Sequence, residues 1–95
     1  MIKVYLNSRF ISDSYINDGI TGKLTHVANI KVDNLDEAFS IAQNCSMTPW
    51  IYDDRVESII DKTNVGPRSV SAGDVFENES GKKYKIMDIG FKQII

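Results

Sequence analysis

Arg68-Ser-Val-Ser-Ala-Gly-Asp-Val-Phe-Glu77 and, six residues on, Lys83-Tyr-Lys-Ile-Met-Asp-Ile-Gly-Phe91 are the two runs whose reading decides the fold. The first is a Gly73-Asp74 turn that feeds a short strand, Val75–Glu77. Asn78-Glu79-Ser80-Gly81 then supplies hairpin turn chemistry, with Gly81 suited to a left-handed backbone position. Lys83 to Ile89 returns as the second arm. Gly90 marks a bend before a last strand, Phe91 to Ile94. A C-terminal β-hairpin with an added strand implies an antiparallel sheet.

Upstream, Val56 to Ile60 reads as a short strand and Asn64-Val-Gly66-Pro67 as a loop. Thr48-Pro49 forces an extended or turn backbone ahead of the apolar cluster Trp50-Ile51-Tyr52. Before it lies the one clear helix, expected over residues 35–45 and ending near Asn44. Asn34 can cap its first turn, Glu37 completes a capping-box-like pattern, and Leu35, Ala38, Phe39, Ile41 and Ala42 share one face. His26 to Val32 reads as a strand with His26, Ala28, Ile30 and Val32 on one side, and Ile2 to Leu6 as another. Residues 7–24 are polar and turn-rich, with a short strand expected around Tyr15–Ile20. The expectation is one α+β domain over 1–95, a mainly antiparallel sheet of about five strands packed against one helix.

Ninety-five residues can bury roughly 60–65% of the unfolded chain's surface, enough for one core without disulfides or metal. Charged residues make up 25% and aromatics 9%, values of a globular chain. A net charge of −2 is too small to steer the whole molecule toward nucleic acid or an anionic membrane. Nothing approaches a membrane-spanning apolar run, and the charges in the first twenty residues leave no signal-peptide core. With Cys45 the single cysteine, an internal disulfide is excluded. A cytoplasmic protein is expected. Residues 33–61 carry a net −6 between ends that are each +2, which reads as a solvated helix face with loops.

Taken motif by motif, the chain offers little catalytic chemistry. His26 and Cys45 are the single residues of their kinds and read as a half-buried imidazole and a buried thiol rather than a dyad. One Cys and one His cannot build a zinc site. Asp53, Asp54, Glu57 and Asp61 lack the alternating order of a calcium loop and read as acidic surface. No cofactor or metal is expected. Lys82, Lys83, Lys85 and Lys92 lie beside Tyr84 and Phe91, but alternation puts Lys83 and Lys85 opposite Tyr84, so nucleic-acid binding is disfavoured. Arg68, Ser69 and Ser71, with loop amides, are the best candidate anion site. The structural alternative pairs Arg68 with an acid of the 33–61 segment, turns Ser69 and Ser71 onto the backbone, and makes Asp74 cap the turn at Gly73.

Leu35 to Phe39, Pro49-Trp50, Arg68 to Val75, Tyr84 and Gly90-Phe91 together resemble small uncharacterised accessory proteins of bacteriophages and plasmids. These carry a C-terminal Arg-Ser-x-Ser-x-Gly-Asp-Val…Gly-Phe motif. The resemblance covers residues 25–95, departs at Ala72 and at Lys92-Gln93, and implies a mobile-element accessory protein working in the host-cell cytoplasm. Two functions follow as expectations. The first is non-enzymatic binding and modulation of a host protein, in host takeover or anti-defence, with Trp50 and Tyr52 as contact anchors. The second is sequestration of a small anionic ligand, a phosphorylated nucleotide, by Arg68, Ser69 and Ser71. A homodimer paired through Phe91 to Ile95 is a further possibility.

Overall fold

A computed structural model of the chain describes residues 1–16, 19–44, 48–60 and 67–94. Six strands form one antiparallel sheet: β1 (Ile2–Asn7), β2 (Leu24–Ile30), β3 (Val56–Ser58), β4 (Val75–Glu77), β5 (Lys83–Ile86) and β6 (Phe91–Ile94). Their order is β3-β2-β1-β4-β5-β6. Among the described residues two helices accompany them, the four-residue α1 (Phe10–Asp13) and α2 (Leu35–Ile41), with a 3₁₀ turn at Trp50–Tyr52. The α+β class and the C-terminal hairpin stand as read from the sequence.

Alternation on β1 and β4 decides the core. Ile2 and Val4 point the same way as Ala28, Ile30, Phe76 and Ile86, and all are buried with Ala38 and Ile41 of α2 and its C-cap Ala42. Trp50, Ile51, Val56 and Val70 close the same cluster. The α2 start follows the sequence closely: Asn34 Oδ1 accepts from the Glu37 N–H at 3.0 Å. That cap supplies about 1 kcal/mol. The helix closes at Ile41, earlier than expected, and Cys45 lies outside the described residues.

Two sequence readings change. The stretch around Tyr15–Ile20 makes no strand in its described part; α1 and turns carry the chain there, because Asp13 draws the backbone around itself instead of leaving it to pair. The register of β1 with β2 also slips, from Val4 opposite Ala28 to Tyr5 opposite His26, leaving Val27 as a bulge. One extra residue turns every later side chain to the other face. His26 therefore leaves the side of Ala28 and Ile30 and stacks on Tyr5, ring centroids 5.0 Å apart.

Candidate functional site

The Arg68–Asp74 loop closes on itself. Arg68 donates from Nη1 and Nη2 to Oδ2 and Oδ1 of Asp74, both at 2.7 Å, a planar fork matching a carboxylate. Asp74 is fully buried and also accepts from the backbone N–H groups of Asn7 (2.8 Å) and Ser71 (2.9 Å). The Arg68 guanidinium carbon sits 3.5 Å from the Phe10 ring centroid, a cation–π contact. Its partner is thus Asp74 of its own motif, not an acid of residues 33–61.

Each remaining candidate residue has a definite place. Ser69 Oγ accepts from the Asn44 N–H at 2.7 Å, and Ser71 enters the network through its backbone. Trp50 is 2% exposed, and its indole N–H donates to the Arg68 carbonyl at 3.0 Å. Tyr52, 45% exposed, alone of that pair presents a ring to solvent. Trp50, Arg68, Ser69 and Ser71 therefore come together as one knot joining the loop to the end of α2, while Tyr52 stands at its edge. Asp53 is held by Arg55 at 3.0 and 2.9 Å, and that hydrogen-bonded cation pulls its carboxyl down to about 2. Among the described residues no group of three or more His, Cys, Asp or Glu side chains is placed to hold a metal ion.

A second knot adjoins the first through Asn7 and was not foreseen. Asn7 Nδ2 donates to Asp13 Oδ2 (2.7 Å) and to the Gly73 carbonyl (2.9 Å). Asp13 further accepts from the Thr21 hydroxyl, the Thr21 N–H at 2.8 Å and the Gly22 N–H at 3.1 Å. Burial alone raises the Asp13 carboxyl; the bonds from Asn7, Thr21 and Gly22 outweigh it and hold the group well below the usual carboxylate range. Lys85, fully buried, donates Nζ to the Ile16 carbonyl at 2.7 Å. Asn7, Asp13, Asp74 and Lys85 together pin the excursion between β1 and β2 onto the sheet. No local pattern marks them, since Lys85 and Ile16 stand 69 positions apart.

Among polar neighbours such as Arg9, Ser12 and Lys23, that excursion exposes three large apolar side chains. Ile11 is 61% exposed, Tyr15 84% and Ile16 38%. Ile11 and Tyr15 sit one helical turn apart, on the same side of α1 and its continuing turn.

The sheet face away from α2 carries a row that crosses all six strands: Glu57, Asn29, Lys3, Glu77, Lys83 and Ile94. Tyr5 donates its hydroxyl to Glu77 at 2.7 Å, and its phenol is pushed up to about 12, first by burial and then by that bond. Asn29 donates to Glu57 at 2.9 Å, so its Oδ1 is the atom that receives the His26 Nε2–H at 2.7 Å. Tyr5, His26 and Lys83 thus share one face, an association the sequence had sought with Tyr84 instead.

No family model, curated protein or solved structure matches this chain. Among the described residues no helix is long and apolar enough to cross a membrane.

Proposed function

We propose that this is a mobile-element accessory protein that acts by binding and modulating a host protein in the cytoplasm, not by catalysis. One observation carries the reading: the buried polar knot of Asn7, Asp13 and Lys85 holds an excursion that exposes Ile11, Tyr15 and Ile16. Burying polar and charged groups costs free energy even when they are bonded. A fold that does so in order to hold a surface with three exposed apolar side chains within six residues is built to present that surface. Tyrosine and isoleucine fixed in place lose little further entropy on docking, which favours them as contact anchors. The resemblance to phage and plasmid accessory proteins sets the context, a host partner. The contact surface moves from Trp50, which serves the core, to α1, with Tyr52 left outside it.

The test is capture of host proteins by the tagged chain, with an Ile11→Ser/Tyr15→Ser double variant alongside. Both side chains are exposed, so the variant should melt as the parent does. One stoichiometric host protein, co-eluting on gel filtration and lost with the double variant, is the expected result. A partner that the folded variant retains, or no partner at all, overturns the reading.

A further inference from the structure

The two edge strands of the sheet, β3 and β6, are finished differently. At either end of the β2–β3 ladder Lys31 donates to the Arg55 carbonyl and Ile59 to that of Val27, which turns the Val56 N–H away from β2. That outward N–H is bonded to the Asp53 carbonyl at 2.9 Å, so the chain covers part of its own edge there. β6 has no such cover. Ile86 donates to the Asp74 carbonyl and Met87 to that of Gly90, which fixes the phase of both ladders that β5 makes. Lys83 and Lys85 therefore exchange their backbone bonds with Ile94 and Lys92. The N–H and C=O groups of Phe91 and Gln93 face the open edge, and among the described residues none of the four has a hydrogen-bond partner. The edge is also straight: its register with β5 carries no bulge, and β6 holds no proline. The core runs out at this strand as well. Phe91 lies 6.0 Å, centroid to centroid, from the buried Phe76, yet is itself only half-buried.

We propose that β6 pairs antiparallel with β6 of a second copy of this chain about a two-fold axis, joining the two sheets into one. A strand edge is its own complement under such an axis: the outward donors of one copy meet the outward acceptors of the other. An axis at Gln93 sets that residue opposite itself, where its N–H and C=O exchange bonds both ways. Lys92 then stands opposite Ile94 of the other copy, so the two Lys92 side chains are not directly opposed. The side chain of Lys92 takes no part, and its backbone groups stay with β5. A single strand edge is a small interface, so the dimer dissociates on dilution. The assignment is independent of the α1 surface, and either can fail without the other.

The experiment is analytical ultracentrifugation of the full chain from low to high micromolar concentration. Gln93→Pro, Gln93→Thr and the Ile11→Ser/Tyr15→Ser double variant accompany it. Proline at 93 removes an N–H that points away from β5, so the β5–β6 ladder keeps its bonds. Melting curves confirm that each variant is folded. The parent, Gln93→Thr and the double variant should pass from monomer to dimer, and no further, as concentration rises. Gln93→Pro should weaken association at least about tenfold, or 1.4 kcal/mol. Should proline unfold the chain, Gln93→Lys replaces it: like charges then face each other across the axis and should weaken the dimer about threefold at low salt. A parent that is monomeric throughout overturns the proposal, and so does a folded Gln93→Pro that dimerises as tightly as the parent. Association lost in the Ile11→Ser/Tyr15→Ser variant instead places the contact at α1 and overturns it equally.

Discussion

Asp74 receives four donors on two oxygens: both guanidinium nitrogens of Arg68 and the backbone amides of Asn7 and Ser71. A fully buried carboxylate so furnished is stable only as a set, because removing one member leaves the others without partners. Asp74→Ala should therefore cost about 3–5 kcal/mol, the range for breaking a buried ion pair from one side. Asp74→Asn, which keeps one acceptor oxygen, should cost less. Urea denaturation measures both, and an alanine loss under about 1 kcal/mol would mean that water or Phe10 stacking replaces the carboxylate. The sequence pointed to Asp74 as a turn cap but set Arg68 against an acid of residues 33–61. Arg68, Ser71 and Asp74 lie within seven positions, close enough for turn chemistry to suggest a capped loop. Asn7 could not be read, because its role depends on β1 reaching β4, and no residue between them records that contact.

At the scale of elements, α1 is held against the Gly73 turn by close backbone approach. Gly73 has φ +95°, and a Cβ there would collide with the Phe10 carbonyl. Gly90, φ +75°, turns the β5–β6 hairpin with nothing within 4 Å of the same added atom. Both positions carry the left-handed backbone cost of about 1–2 kcal/mol for alanine. Only Gly73 adds a steric clash with main chain, which no rotamer change relieves. Gly73→Ala should thus destabilise by more than Gly90→Ala, by at least about 2 kcal/mol on the scale of overpacking. Thermal melts of the two variants read this directly; equal losses would show that α1 yields to the methyl group and is not fixed by the turn. The elements themselves were legible wherever period and punctuation agree, as at Asn34 with its helix and in the β4–β5 hairpin. They were not legible where one residue breaks the period. The Val27 bulge is such a case, since alternation alone places His26 beside Ala28 and only the pairing with Tyr5 shows otherwise.

For the molecule as a whole, the question is whether the excursion and the sheet unfold together. Lys85 is one of two strand residues, with Asn7, that link them: its ammonium donates, among the described residues, to the Ile16 carbonyl. A buried charge with one neutral acceptor contributes little to global stability, since its lost hydration offsets the bond. Its effect is on position: it fixes where Ser14 to Ile16 lie over β5. Lys85→Met preserves the length and apolar stem of the side chain and removes the charge. The midpoint of global unfolding should hold or rise, while the excursion loses its tether to β5. Hydrogen exchange separates the two. The amides of Ser14, Tyr15 and Ile16, bonded within α1 and its turn, should exchange about tenfold faster or more, and those of β1 and β4 should not change. If the excursion is an independently opening unit, the partner contact proposed for Ile11 and Tyr15 should weaken in this variant although neither residue is touched. If sheet amides accelerate equally, the excursion belongs to the one cooperative core, and the apolar surface of α1 is as rigid as the sheet that carries it.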